Sequence, residues 1–195
     1  MKKLLSVAAL VAFASLPCLA QTTTWQVDTN HTNSQFAVKH MGISTVRGQF
    51  TKTTGQVLLD EQDITKSQVE VTVDTTTLDT RVKGRDDDVK GPGYLDVEKF
   101  PTMTFKSTRV TSAGQGKLKL TGDFTLHGVT KEVTFDVDGP TAPVTDPRKN
   151  QHRGASATTT INRKDFGVNG GGMMVGDEVV ITIDLEIVLP APKAQ

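Results

Sequence analysis

Cysteine and net charge are both scarce in this chain of 195 residues, and each scarcity excludes something. The single cysteine, Cys18, lies in the N-terminal segment, so no disulfide framework can support the rest of the chain. Basic and acidic residues number 22 each, which leaves no basic excess for binding nucleic acid or an anionic membrane. The fold must therefore depend on hydrophobic burial, and we expect no nucleic-acid partner.

Residues 1–20 have the pattern of a secretory signal peptide. Lys2 and Lys3 form a basic start, an apolar run follows, and small residues end at Ala20. The apolar run is shorter than the roughly 18 residues of a spanning helix, and no later run approaches that length. Pro17 before Cys18 argues against a lipoprotein signal. We expect export, cleavage after Ala20 and no stable insertion into a membrane.

Alternating apolar and polar residues dominate the rest of the chain and predict β-strands. The longest unbroken run extends from Val179 to Leu189. Similar runs recur about eight times, and turn signals such as His127-Gly128 separate them. This pattern predicts an all-β domain over residues 21–189, either a sandwich or a barrel, followed by a disordered tail over residues 190–195.

One segment, Thr80 to Pro101, breaks the alternation. It is too polar for a core strand, and Gly91-Pro92-Gly93 interrupts any long helix. Its run from Asp86 to Asp88 lacks the ligand pattern of an EF-hand loop. We predict a crossover loop with a short helical turn, lying over the edge or the mouth of a barrel, and loops of this length are often functional.

Sequence spacing favours no metal, cofactor or catalytic site. On one regular strand, His31 and His40 would project to opposite faces because an odd number of residues separates them. His127 belongs to a predicted turn and His152 to a predicted polar loop, with no second ligand at the usual spacing. The chain also lacks a Gly-x-Ser-x-Gly elbow. We therefore expect no catalytic residues, no metal and no cofactor.

Nine apolar residues share the presumed inner face of the strands: Phe36, Val38, Phe50, Met103, Phe105, Phe124, Phe135, Ile181 and Ile183. A packed core would explain such a set. An eight-stranded barrel, however, is just wide enough either to be filled by side chains or to hold one small ligand. Periodicity leaves these two alternatives evenly balanced.

Several short motifs occur in a fixed order along the chain: Trp25-x-x-Asp28, His31-Thr32-Asn33-Ser34-x-Phe36-x-Val38-Lys39-His40-Met41, Gly48-x-Phe50, Arg85-Asp86, Phe100-Pro101-x-Met103-x-Phe105-x-Ser107, Gly122-x-Phe124-Thr125-Leu126-His127-Gly128-Val129-Thr130 and Asn162-Arg163-x-Asp165-Phe166-Gly167. Together they resemble the YceI family of exported bacterial lipid-binding proteins. The resemblance covers nearly the whole chain after the signal segment.

The resemblance implies a lipocalin-like antiparallel β-barrel whose apolar tunnel holds an isoprenoid-type chain, such as a polyprenyl or quinone tail, or an acyl chain. It also implies a periplasmic location, a possible homodimer and no established enzymatic mechanism. Family positions that are expected to face the tunnel are matched by Phe36, Val38, Phe50, Phe105 and Phe124.

Two polar residues, His40 and Arg85, match family positions near the tunnel mouth or against the crossover. The chain departs from the family pattern close by. Asp88-Val89 stands where the family commonly has His-Leu, two residues after Arg-Asp. The resemblance therefore implies no head-group contact by a histidine here, and the preferred ligand can differ.

Two other functions stay open at this stage. An enzyme that uses a quinone-like chain would need a buried polar cluster at one tunnel end, including His40 or Arg85. A structural or interaction module would be a filled β-sandwich without a continuous internal cavity.

Overall fold

The computed structural model describes residues 22–192, which form one antiparallel sheet with a single α-helix. The strands are β1 (Thr22–Val27), β2 (Asn33–His40), β3 (Ser44–Phe50), β4 (Thr53–Asp60), β5 (Gln68–Asp74), β6 (Leu78–Asp79), β7 (Thr102–Gly114), β8 (Lys117–Leu126), β9 (Val129–Asp138), β10 (Val144–Thr145), β11 (Gln151–Asn162) and β12 (Val175–Leu189). The helix, α1, spans Lys83–Lys90.

The predicted signal peptide and the last part of the predicted tail, residues 193–195, lie outside the described residues. Within the described part of that tail, the backbone N–H of Ala191 donates to Asn150 Oδ1 at 3.1 Å.

We call each position in the ring of strands a stave, whether one long strand or two short strands in line fill it. Six of the strands form three such interrupted staves. β2 continues the direction of β1, β4 continues that of β3, and β6 continues that of β5, each after a short break. Together with β7, β8, β9, β11 and β12 they make eight antiparallel staves, and β10 adds a short pair to β11. The predicted lipocalin-like barrel of about eight strands is therefore confirmed.

β12 closes the barrel because it pairs with strands on both of its sides. One side pairs with β11 along almost the whole of β12. The other side pairs with β2 as far as Asp184, and with β1 only through Gln26↔Val188 and Val27↔Ile187. The direct contact between β1 and β12 thus consists of two residue pairs.

The strand predicted from Val179 to Leu189 is present, and it begins earlier, at Val175. A register irregularity between Val175 and Val179 separates this first part from the regular alternation. Such irregularities bend a strand and commonly lie at the rim of a barrel. The sequence pattern missed the first part because Gly176, Asp177 and Glu178 interrupt the apolar period.

Two histidines lie elsewhere than their spacing suggested. The prediction that His152 belongs to a polar loop is wrong, because His152 lies on β11 opposite Val188. His31 lies in the turn before β2 and not on the strand that carries His40. His127 is in the predicted hairpin turn, where its φ of 51° and that of Gly128, 75°, suit a two-residue connection.

The crossover between β6 and β7 contains the predicted helical turn, as α1. The helix has about two turns and is polar on nearly every side, and Lys83 Nζ pairs with Asp87 Oδ2 one turn away at 2.7 Å. The rest of the crossover folds back so that the backbone N–H of Leu95 donates to Val89 O at 3.0 Å. None of the helices within residues 22–192 has the length and hydropathy needed to span a membrane.

Gly122 on β8 lies where the backbone of β7 approaches closely. A Cβ atom at this position would meet Lys106 O and would lie 2.7 Å from Ser107 Cα. We expect Gly122→Ala to lower the free energy of unfolding by about 1–3 kcal/mol, because the β7 backbone must move to admit the methyl group. Urea unfolding followed by the fluorescence of Trp25, the chain's single tryptophan, measures the change.

The matched control is Gly154→Ala on β11, where a Cβ atom would come no closer than 3.9 Å to a neighbour. We expect this change to stay within about 0.5 kcal/mol of wild type. Equal losses in the two variants would show that the close approach at Gly122 is not the cause.

Candidate functional site

A continuous cavity of about 610 Å³ runs through the barrel. Its wall includes Tyr94 and Gly171 at the end where the crossover lies, and Ile64 and Pro140 at the other end. The part of β12 that lines it, from Val175 to Ile187, has a length of about 40 Å at about 3.3 Å per residue. The cavity therefore has a volume typical of small-molecule sites and the shape of a long, narrow tube.

The cavity resolves the choice that periodicity left open. The inner face of this barrel is not completely filled by side chains. A filled β-sandwich module was predicted to have no continuous cavity, and that alternative is contradicted by this tube.

One side of the barrel interior is tightly packed. On β7, β8 and β9, the inward side chains of Met103, Phe105, Phe124 and Phe135 are each no more than 9% exposed. The Phe105 and Phe135 rings pack edge to face with centroids 5.2 Å apart. This wall behaves as an ordinary hydrophobic core.

The opposite side faces the open part of the tube. The inward side chains of β2 and β12 are apolar but only half-buried, namely Phe36, Val38, Val179, Ile181, Ile183 and Leu185. Residues that point inward and remain partly accessible must border empty space. The apolar stripe of β12 therefore forms a cavity wall.

All eleven residues predicted for the binding site line the cavity: Phe36, Val38, His40, Phe50, Arg85, Met103, Phe105, Phe124, Phe135, Ile181 and Ile183. The structure thus brings the whole predicted set to one tube. Contact of each residue with a ligand remains a prediction.

The cavity opens at one end, which we call the crossover end. Three lining residues are classed as exposed, Lys39, Asp88 and Met174, and all three lie there. His40 is half-buried beside them, at the end of β2. The polar groups of the lining are therefore concentrated around the opening.

A compact hydrogen-bond group attaches α1 to this opening. Arg85 donates from Nε to Thr80 Oγ1 at 2.9 Å and from its terminal nitrogen to Thr80 O at 2.7 Å. Asp86 Oδ1 accepts from the Thr80 backbone N–H at 2.7 Å and also from the Thr80 hydroxyl. Thr80 is 2% exposed, so the three residues fix the start of the crossover to the end of β6.

Tyr94 packs against the glycine-rich connection before β12. A Cβ atom on Gly170 would lie 2.7 Å from the Tyr94 ring, and one on Gly171 would lie 2.6 Å from its hydroxyl. Only residues without a Cβ atom allow the ring to lie so close. The connection over residues 169–172 is therefore packed against the crossover, and both segments border the opening.

Arg163 is a buried cation in the cavity wall, 4% exposed. Its guanidinium donates to the carbonyl oxygens of Val168 at 2.7 Å, Gly176 at 2.9 Å and Val175 at 3.0 Å. Burial of a charge is tolerable only with such partners. Arg163 thus holds the segment before β12 against the end of β11.

Near the other end, which we call the far end, a group of side chains lies outside the cavity lining. The Arg153 guanidinium lies 5.3 Å from the ring centroid of Trp25, which is 1% exposed. Arg153 also donates to both Glu61 carboxylate oxygens, at 2.7 and 2.8 Å. Trp25 pairs across the strands with Val57, and Arg153 pairs with Ile187. Because Val57 and Ile187 line the cavity, Trp25 and Arg153 also point to the inside of the barrel.

Comparison with known proteins agrees with this geometry. The family model for the YceI-like domain matches residues 25–187. The chain belongs to the YceI-like family. A UPF0312 protein of Vibrio parahaemolyticus is 36% identical over 189 residues, which cover 96% of this chain and 97% of that protein. A UPF0312 protein of Vibrio cholerae is 38% identical over 170 residues, covering 86% and 89%.

Solved structures share the fold of this YceI-like chain. BcnA of Burkholderia cenocepacia superposes with a TM-score of 0.72 at 26% identity, covering 82% of this chain and 98% of BcnA. A domain from Saccharophagus degradans described as polyisoprenoid-binding superposes with a TM-score of 0.64 at 11% identity, covering 85% and 98%.

Asp88, which the resemblance marked as a departure from the expected pattern, lies on α1 and borders the opening. It is exposed, so its carboxylate faces water as well as the tube mouth.

Several lining residues were not predicted from the sequence. Tyr94 belongs to the crossover, whose apolar residues showed no regular period. Arg163 was noted only as part of a motif, and its polar neighbours Asn162 and Lys164 gave no sign that it is buried. The Trp25–Arg153–Glu61 group could not be predicted, because strand pairing alone brings these distant residues together.

The attachment of α1 is expected to depend on Asp86. The hydrogen bond from Thr80 holds the pKa of Asp86 below its ordinary value of 3.8. A carboxyl group whose pKa is lowered by folding stabilises the folded state at any pH above its ordinary pKa. This contribution is lost as the pH falls through the lower pKa of the folded state. We expect Asp86→Ala to reduce hydrogen-exchange protection of the α1 amides at pH 7 and to shift the NMR signals of Tyr94, the chain's single tyrosine.

In the wild type, the α1 amides should lose hydrogen-exchange protection only below about pH 4. Asp87→Ala is the matched control, because Asp87 pairs only with exposed Lys83 and should leave Tyr94 unchanged. An Asp86→Ala protein with wild-type exchange would contradict the assigned attachment.

Proposed function

We propose that this chain is an exported binding protein that sequesters or carries one long apolar chain in its barrel. The guest is of isoprenoid type, such as a polyprenyl or quinone tail, or an acyl chain. The observation that carries this proposal is the narrow apolar tube of about 610 Å³, open at the crossover end. Its length and width suit a single chain better than a compact molecule.

The Saccharophagus degradans domain supports the proposal through its shape. That domain is described as polyisoprenoid-binding and superposes on this chain over 85% of its length. Because the two sequences are only 11% identical, the support concerns the barrel as a container and not individual side chains.

The driving force would be removal of the guest from water. Burial of apolar surface is worth about 0.8 kcal/mol per methylene group. A preformed tube lets a chain gain this energy without first opening the protein, and its apolar wall makes length the main basis of selection.

The two ends of the tube suggest an orientation for the guest. Lys39, His40 and Asp88 lie at the opening, whereas the lining toward the far end is mainly apolar. An amphiphilic guest would place its tail toward the far end and keep its polar group near the opening, where water can solvate it.

We favour binding over catalysis because the two arginines of the cavity lining already have structural partners. Arg85 donates to Thr80, and Arg163 donates to three backbone carbonyls. Neither arginine projects a free cluster into the tube of the kind that an enzyme acting on a quinone-like chain would need.

Filling the tube should weaken guest binding. Ile181 points into the cavity, so we expect Ile181→Trp to raise the dissociation constant at least about tenfold, equivalent to two methylenes excluded at about 0.8 kcal/mol each. Native mass spectrometry of delipidated protein titrated with geranylgeraniol or palmitate measures the change.

The adjacent Val180→Trp is the matched control, because Val180 is 42% exposed on the outer face of the same strand. We expect it to bind both probes like the wild type. Absence of saturable uptake of both probes by the wild type would overturn the proposal, as would equal weakening in the two variants.

We also propose export to the periplasm, supported by the charge and hydropathy pattern of residues 1–20. Protein isolated from a periplasmic extract should begin at Gln21, because cleavage is expected after Ala20. The intact mass measured by mass spectrometry checks this. Recovery of the full-length chain in the cytoplasm alone would contradict export.

A further inference from the structure

Three potential metal ligands meet on the outer surface of the barrel, at the break between β1 and β2. His31 Nδ1 lies 2.9 Å from Asp28 Oδ2 and 4.0 Å from Glu186 Oε1. The three ligand atoms all lie within 4.8 Å of one another. Glu186 alternates with Leu185 and Ile187, which line the cavity, so its side chain projects to the outside.

The spacing and chemistry of these atoms suit a small divalent ion. Zinc binds histidine nitrogen and carboxylate oxygen at about 2.0–2.2 Å, which places tetrahedral ligand atoms about 3.3–3.5 Å apart. The separations of 2.9 and 4.0 Å lie on either side of that range. Small side-chain rotations would therefore bring all three atoms onto one ion.

The backbone holds the ligands in place. The N–H of Asp28 donates to Glu186 O at 2.9 Å, and the Glu186 N–H donates to Thr32 Oγ1 at 3.1 Å. The turn that carries Asp28 and His31 is thus fixed to β12 on both sides of the ligand group. A preorganised group of this kind loses little entropy when an ion binds.

A second layer of polar residues supports Glu186. His152 Nδ1 lies 2.8 Å from Glu186 Oε1, and His152 Nε2 lies 3.3 Å from Asp146 Oδ2. Asp146 Oδ2 in turn accepts from the Asn150 side chain at 2.9 Å. Metal-binding carboxylates characteristically have such hydrogen-bonding partners, which orient the ligand.

We propose that Asp28, His31 and Glu186 bind one divalent transition-metal ion, with His152 orienting Glu186. Open coordination positions face solvent, because the His31 side chain is 64% exposed. Nitrogen and carboxylate ligands together favour Zn²⁺ over Ca²⁺ or Mg²⁺, which prefer oxygen alone.

The site would act as a clasp on the barrel. It joins the turn after β1 to β12, beside the two residue pairs that directly connect these strands. An ion bound there stabilises the closed barrel, because the site requires both segments in their folded positions. The cavity wall on the other face of β12 is not altered, so this inference is independent of the proposed lipid binding.

The test is a titration of untagged, chelator-treated protein with Zn²⁺. Isothermal titration calorimetry measures the binding, and thermal unfolding with and without Zn²⁺ measures the change in Tm. We expect one ion per chain and a rise in Tm of about 5–10 °C at roughly a hundredfold excess over the dissociation constant. His31→Ala should abolish the rise, and His152→Gln should weaken the affinity about 10–100-fold. We expect the His31→Ala protein to fold, because the His31 side chain is exposed, and Trp25 fluorescence checks this.

The matched control is His127→Asn, which removes a histidine from a distant turn that asparagine also suits. It should bind Zn²⁺ like the wild type. Absence of saturable binding in the wild type would overturn the proposal and leave the group as a hydrogen-bond network. Unchanged binding in His31→Ala would overturn the assigned ligands. Neither result affects the Ile181→Trp experiment.

Discussion

Closure of the sheet through β12 is the constraint on which the rest of this structure depends. β12 is the strand that pairs with β11 on one side and with the β1–β2 stave on the other. Closure removes the free strand edges that would otherwise attract other chains. It also fixes the width of the interior, because eight staves enclose a space that side chains fill only in part.

The unfilled part of the barrel interior lies beside β2 and β12. Four large side chains on β7, β8 and β9 are nearly inaccessible, whereas most apolar side chains of β2 and β12 that line the tube are half-buried. Burial of the first set supplies hydrophobic stability without a disulfide, and the second set leaves apolar surface uncovered. Both sets line the tube, so one barrel interior provides the stability and the cavity together.

The sequence predicted the strands and their inward faces well because alternation is a local property, whereas the choice of a barrel rested on the resemblance to the YceI family. Side chains alternate strictly along a strand, so Ile181 and Ile183 had to share a face with each other. The interruptions between β1 and β2, β3 and β4, and β5 and β6 were not predicted, because only pairing with a neighbour shows that two short strands form one stave. The Asp28–His31–Glu186 group was missed for the same reason: spacing along the chain excluded a metal site, although closure brings residue 186 beside residues 28 and 31.

The continuous wall of the barrel has a kinetic consequence. Hydrogen-bonded strands surround the sides of the tube. A chain held inside could therefore leave only lengthwise, and exit at the crossover end would take it past Tyr94 and α1. Its residence time would grow with the length of chain inside the tube. Such a container would distinguish long guests from short ones by how slowly it releases them, as well as by how tightly it holds them.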